Sequence, residues 1–401
     1  MNQEQEITPE SAALLRGALQ RRTVLAGAGG VALAAFLAAC GGSGNGSTPS
    51  TTAAAGKDLS ATEKKLRWQN WPAYMDKEGG KGSTLTTFEK QNGVDVNYTT
   101  EIDDNITFTN SVQQQLQRKQ PTGYDIVVLT DWMAGKWIAN GWALPLNKEN
   151  IPNAKNLRPQ LVEVPFDKGR NYSLPWMSGF AGIGINKKVF KRLTGKSEIK
   201  SIDELWDPKL KGRITVLSEM RDTMGLIMMS QGKNIAEFTD ADFQDALAVL
   251  KDKVDSGQVR QVTGNGYLPE LESGAIAAST AWSGDVDGNP DLAWFVPESG
   301  ATYWTDNMLI PALASHKTNA EKAMNFYYDP ENAGRLIAGG VTYVTPVPLA
   351  KPTVQKLDAE LAKNPLIFPS EEFLSNTQIF KVLTAEENDN YTEQFNDVVG
   401  A

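Results

Sequence analysis

The chain is predicted to be an α/β protein built as two halves, and three observations lead there. Short β-branched and aromatic runs alternate with amphipathic stretches. One of those runs, Ile126 to Leu129, is continuously apolar, which marks a strand buried on both faces. The alternation also lapses after the first third of the chain and restarts near Arg213, so two α/β layers of roughly 120–160 residues each are expected. A length of 401 residues with 41% hydrophobic and 22% charged residues is enough for two such cores.

Taken in order, Leu66-Arg67-Trp68-Gln69-Asn70 reads as a short strand. A helix containing Leu85 and Phe88 follows and ends at Asn92-Gly93, a C-cap pair. Val94 to Tyr98 alternates with period two and is a strand. Residues 104–118 are helical and stop before Pro121. Tyr124 to Leu129 is the buried strand, and a helix beginning near Asp131 ends at Asn140-Gly141. The order β-α-β-α-β requires crossover connections and therefore a mostly parallel sheet. In the second half, Arg213 to Leu217 is a strand and residues 221–231 a helix. Phe243, Ala246, Leu247 and Leu250 then fall at helical spacing behind the capping candidates Thr239 and Asp242. Ala275–Thr280 and Leu292–Val296 are strands. Asp329-Pro330-Glu331 opens a helix that Gly339-Gly340 closes. Gly179, Gly182 and Gly184 do not have the order of a dinucleotide-binding loop and are expected to bend the chain between the halves.

Composition excludes several functions. With one His (His316) and one Cys (Cys40), the chain has no Cys/His zinc site and no internal disulfide. With 39 Lys+Arg against 48 Asp+Glu, the net charge of −9 gives no general attraction for nucleic acid and mildly favours cationic ligands. His316 lies in a polar loop and is expected to be exposed. Tyr327-Tyr328 is expected to pack on a helix.

The N-terminus reads as an address. Arg21-Arg22 precede an apolar run, Val24 to Ala39, that is shorter than the about 20 residues a spanning helix needs. Small residues follow, as before the cut site of an export signal. The paired arginines point to the twin-arginine route. Leu37-Ala38-Ala39-Cys40 resembles the bacterial lipobox, in which the cysteine becomes the first residue and carries a diacylglycerol. The Gly/Ser/Thr-rich stretch after it is too polar to fold and serves as a tether. The expected division is a signal over 1–39, then the lipidated Cys40 and tether over 40–63.

The chemistry candidates are aromatic residues beside acids at strand ends, where ligands of open α/β sheets bind. Trp71 and Tyr74 follow the first strand, and Thr130-Asp131-Trp132 follow the buried one. Glu219 and Asp222 follow the strand ending at Leu217. Trp282 with Asp285, and Trp304 with Asp306, follow the last two. Indole faces attract cations by about 0.5–2 kcal/mol, and carboxylates add charge-assisted hydrogen bonds to an ammonium. Asp131 and Asp222 also stand where helix caps are needed, and Trp282 and Trp304 also suit a core.

These residues carry a resemblance. Asn70-Trp71-x-x-Tyr74, Tyr124-Asp125-Ile-Val-Val, Tyr172-Ser173-Leu174-Pro175-Trp176 with Gly182-Ile-Gly-Ile-Asn186, and Glu204-Leu205-Trp206-x-Pro208 with Lys211-Gly212 resemble bacterial spermidine/putrescine ABC-importer binding proteins. Trp282-x-Gly284-Asp285, Trp304-x-Asp306 and Tyr343-x-Thr345-Pro346 complete the pattern, which spans about Leu66 to Pro348. The resemblance implies a two-lobed clamshell of the type II periplasmic-binding-protein kind, with lobes of 64–181 plus 305–350 and 182–304 plus 351–401. It implies that Trp71, Tyr74, Trp132, Trp282, Trp304 and Tyr343 sandwich a polyamine chain. Asp222, Asp285 and Asp306 then meet its amino groups, with Glu219 as a fourth acid and Thr130 as a hydroxyl contact. Pro72 and Ala73 replace residues that are polar or acidic in relatives. The implied protein is a monomeric, lipid-anchored, extracytoplasmic carrier without cofactor, metal or catalysis, serving a permease and its ATPase. Two other readings stay open: a binding protein of this fold for a different solute, and an exported hydrolase using paired carboxylates.

Overall fold

The structure, a computed structural model, describes residues 53–400. The predicted signal and Cys40 lie outside the described residues. The first half contains β1 (Lys65–Gln69), α1 (Thr84–Asn92), β2 (Asp95–Thr99), α2 (Asn105–Gln117), β3 (Ile126–Thr130) and α3 (Asp131–Ala139). Then come β4 (Ser173–Asn186), α4 (Lys187–Thr194), β5 (Ile214–Leu217), α5 (Met220–Ser230), α6 (Asp240–Asp255), β6 (Val259–Thr263) and α7 (Tyr267–Ser273). β7 (Ala278–Trp282), α8 (Ser283–Val286), β8 (Leu292–Phe295) and β9 (Ala301–Leu309) lead into α9 (Lys317–Tyr327), α10 (Pro330–Ala338) and α11 (Lys351–Leu357). The chain ends with α12 (Glu371–Ser375), β10 (Thr377–Gln378) and α13 (Ala385–Val399).

One mixed sheet runs β2-β1-β3-β9-β4-β7-β5-β6, with β8 pairing β4 and β10 pairing β9. β2-β1-β3 and β7-β5-β6 are parallel, as the β-α-β order requires. Between these sets, β9 and β4 run antiparallel to β3 and β7 and to each other. The long central strands therefore join the two parallel sets. The parallel strands β3 and β5 are buried along almost their whole length, which explains their apolar sequences.

The sequence expectation fails at the centre. All 14 residues of β4 are buried and extended, so Gly179, Gly182 and Gly184 mark no bend. The lack of a side chain at Gly179 and Gly182 instead lets rings lie against the strand, and at Gly184 it makes room for Ala281 and Val286. A Cβ on Gly179 would stand 2.5 Å from the Trp304 ring. β9, which carries Trp304 and Asp306, was expected only as residues following a strand. Its alternation is masked because both of its faces are covered.

Three smaller corrections concern polar residues. The α3 N-cap is Thr130, with Asp131 as first helical residue, and the α5 N-cap is Glu219, with Asp222 in the first turn. His316 is buried rather than exposed. Its Nδ1 lies 3.0 Å from Asp125, whose carboxylate also accepts from the Ser315 and His316 backbone and from Arg67. The stretch 53–63, expected as the end of the tether, is pinned to this same corner. Leu59 N donates to Ser315 O, Leu313 N to Ala54 O, and Thr318 to Asp58. Tyr327 and Tyr328 are buried, as expected, with Tyr327 edge-on to Trp68 and Trp176.

Candidate binding site

The site forms where the parallel strands end beside the central pair. β1 runs out into Trp71 and Tyr74, β3 into Thr130, β5 into Glu219, and β7 into Trp282. Trp304 and Asp306 lie two residues apart on β9 and so share one face of the sheet. Asp306 is opposite Thr130 on one side and Met177 on the other, next to a register shift at Asp306/Asn307. Such an irregularity re-aims neighbouring side chains. Tyr343 is held by the backbone pairing of Val344 with Ser178. Its ring lies so close to Gly284 that a Cβ there would come within 2.3 Å.

The expected rings come together. Trp71 meets Trp282 edge-on at 6.2 Å, and Tyr74 meets Tyr343 at 4.9 Å. Trp304 lies 5.7 Å from Tyr343. The acids stand among them. Asp306 accepts from Tyr74 and Thr130, each at 2.7 Å. Asp285 accepts from Tyr343, from Tyr267 at 2.8 Å and from Asn265 at 2.9 Å. Asp222 accepts from the Trp282 indole at 2.8 Å and from Thr302 at 2.6 Å. Among the described residues, none of these three buried aspartates is in an ion pair with Lys, Arg or His; all their donors are neutral. Asn265 leaves its Oδ1 buried without a hydrogen-bond partner beside Asp285, a further acceptor at that end.

Glu219 and Trp132 differ. The Arg221 guanidinium lies 3.6 Å from the Glu219 carboxylate and 3.9 Å above the Trp132 ring. The Trp132 face proposed for a ligand thus already carries a cation of the chain. Asn105 links Thr130 to Glu219 across the site, donating to Thr130 at 2.8 Å and reaching Glu219 at 3.4 Å. Asp131 points away and accepts from Asn307, whose carbonyl oxygen is held by buried Arg170. Sequence reading missed Asn105, Arg221, Asn265, Tyr267 and Thr302. Each is a polar residue on an otherwise ordinary helix, loop or strand, and only the fold turns it inward.

Burial shapes the electrostatics. It raises the Asp306 carboxyl to about 7, with repulsion from Asp131 and Asp222 adding to it and the Thr130 and Tyr74 hydrogen bonds opposing it. Glu219 is raised to about 7, again by burial first, although Arg221 opposes the shift. Asp222 and Asp285 are raised for the same reason. Burial also lowers Arg221 to about 10, so it stays charged at neutral pH. Among the described residues no group of three or more His, Cys, Asp or Glu side chains is arranged to hold a metal.

Against known proteins, residues 83–369 match the family described as bacterial extracellular solute-binding protein. The chain belongs to this family. The spermidine/putrescine-binding periplasmic protein of Escherichia coli K12 is 26% identical over 317 residues, covering 78% of this chain and 85% of that protein. The putrescine-binding periplasmic protein PotF of the same strain is 25% identical over 342 residues, covering 81% and 88%. Among solved structures, a Listeria monocytogenes protein assigned to a spermidine/putrescine ABC transporter is 27% identical with a TM-score of 0.71, covering 84% of this chain and 99% of that one. PotD of Streptococcus pneumoniae superposes with a TM-score of 0.66 at 24% identity, over 84% and 98% of the two chains. The chain thus has the two-lobed α/β fold of the periplasmic binding proteins. No described helix is long and apolar enough to cross a membrane.

The raised Asp306 carboxyl predicts a pH dependence of the ligand-free solute-binding protein. Its folded value, about 7, lies above the unfolded value of 3.8, so the folded state binds the extra proton. The stability this confers is complete below the unfolded value and is lost as pH rises through about 7. Melting temperatures of wild type and Asp306→Asn from pH 5 to pH 8 should show the wild type losing ground steadily to the variant. A constant difference across the range would contradict the raised value.

Proposed function

We propose that this chain is an extracytoplasmic carrier that captures polyamines of the putrescine/spermidine class and delivers them to an ABC importer. The observation that carries the proposal is the set Asp222, Asp285 and Asp306: three buried carboxylates with only neutral donors, walled by Trp71, Tyr74, Trp282, Trp304 and Tyr343. Such a box lacks a cation, since an unpaired buried charge is costly and protein interiors normally match it. A linear polyamine supplies ammonium groups for the carboxylates and methylenes for the ring faces. Spermidine and putrescine binding is what the names of the E. coli relatives state, and the shared fold extends that reading to this chain.

The proposed mechanism is capture without turnover. The lobes, divided as 64–181 with 305–350 and 182–304 with 351–401, close when one ligand touches both, because the closed form then binds better. Thr130, Tyr74 and Asn105 orient the carboxylates on one side, and Tyr267, Asn265 and Thr302 on the other. The family is one of solute-binding proteins, and no group in the site needs a role as nucleophile, acid or base. On this reading, the monomeric domain hangs from the outer face of the membrane through a lipid on Cys40, and its partners are the permease and ATPase of the importer.

Calorimetry with putrescine, spermidine and spermine tests the ligand class. Asp306→Asn and Asp285→Asn should each weaken binding by about 2–5 kcal/mol, because each strands an ammonium in a dry site. Trp304→Ala should cost less while affecting every chain length. If both Asn variants bind every polyamine as tightly as wild type, the carboxylates serve only the fold, and the ligand must be sought among uncharged solutes.

The anchor is tested separately. Cys40→Ala should release the protein from membranes of the producing cell while the domain stays folded and binding-competent. Labelled fatty acid still incorporated into Cys40→Ala would end the lipidation proposal.

A further inference from the structure

Arg221 joins three parts of the molecule that the sequence keeps far apart. It follows the Glu219 cap of α5, and its guanidinium pairs with that residue. It lies 3.9 Å over the ring of Trp132, on the helix α3 that follows β3 of the opposite parallel set. Its Nη2 donates to Asn388 of α13 at 2.7 Å, and Phe380 flanks it at 5.9 Å. Asn388 and Phe380 belong to residues 370–400, beyond the family match at 369.

That segment is firmly attached. β10 pairs in parallel with β9 at Ala301 and Thr302, beside the hydroxyl that donates to Asp222. Tyr391 stacks on Phe243 of α6 at 4.1 Å, and Phe395 is buried. Facing α2 and α3, however, α13 leaves a cleft of about 410 Å³ lined by Trp132, Lys136, Asn388 and Glu393. The Trp132–Arg221–Asn388 chain of contacts spans the two walls of this cleft.

We propose that Arg221 is a positioning residue through which the C-terminal segment controls ligand release. Held by Asn388 and paired with Glu219 on its own lobe, the guanidinium covers Trp132 of the other, so the site parts at this edge only when the Trp132 contact breaks. A desolvated guanidinium on an indole is the stronger form of that contact, and it is made between protein groups, leaving Trp71, Trp282 and Trp304 to the ligand. The proposal rests on the polyamine reading for its ligand but not for its geometry.

The test uses the mature protein in a Cys40→Ala background with spin labels at Asn110→Cys and Glu393→Cys, on either side of the cleft. Without ligand, the parent should give one narrow distance distribution, and Arg221→Met and Asn388→Ala should broaden and lengthen it. By stopped-flow fluorescence with putrescine and spermidine, Arg221→Met should dissociate about 10- to 100-fold faster, with association changed less than about threefold. Arg221→Lys keeps the charge on Glu219 and over the ring but loses the fork to Asn388, so it should behave like Asn388→Ala, about 3- to 10-fold faster. Superimposable label distances, or wild-type dissociation rates in Asn388→Ala and Arg221→Met, overturn the proposal. A parent protein that binds neither amine ends the polyamine reading instead, and the ligand-free distances still decide the role of Arg221.

Discussion

Everything distinctive about this site follows from the cost of burying carboxylates without counter-charge. Asp222, Asp285 and Asp306 are almost shut off from solvent, and each is offered only hydroxyl, indole or amide donors. Such donors orient an acid but do not neutralise it, which is why burial raises all three. At Glu219 the chain does supply a cation, Arg221, which opposes the rise caused by burial without cancelling it. Asp285 and Asp306 stand without a cation and Asp222 has only the field of Arg221, so the free site is under an electrostatic tension that a bound cation would relieve. The neutral donors matter as much as the acids. Hydroxyls from Tyr74, Thr130, Tyr267 and Tyr343 fix the carboxylate planes in advance, so little ordering is left to the ligand.

The sheet makes this arrangement possible. Parallel strands on both flanks point their carboxyl ends at the central pair, which brings groups more than 200 residues apart into contact, as Tyr74 and Asp306 are. The central strands must pass beside large rings, and glycine at 179 leaves room for the edge of the Trp304 ring against the backbone. Asp131, Asn307 and Arg170 form a separate buried polar chain behind Asp306, and they hold β9 where it passes β3.

Much of this was legible in the residues. Period-two and apolar runs placed the flanking strands except the edge strand β6, and the starts read for α2, α3, α5, α6 and α10 fall within a residue or two of the observed ones. Acids beside aromatics at strand ends picked out Asp131, Glu219, Asp222, Asp285 and Asp306 alike, and only the resemblance singled out the three that the fold buries together. The central strands were not legible. β4 is buried along both faces and broken by glycines, so it shows neither alternation nor the β-branched density of β3. His316 looked exposed because its neighbours are polar, while its burial comes from Asp125, 191 positions away. Arg221 gave no signal as a partner of Trp132. A positive residue between two acids on a helix reads as a solvated face, and only the approach of α3 and α13 shows otherwise.

If a ligand supplies the charge the buried carboxylates lack, proton balance measures it most directly. Calorimetric titration of the mature domain with spermidine near pH 6.5, in two buffers of different ionisation enthalpy, gives the protons exchanged on binding. An arriving ammonium should ionise the raised Asp306, so the account predicts net proton release that fades above pH 8 and shrinks in Asp306→Asn. Tight binding with no proton release at pH 6.5, or with proton uptake, would contradict it.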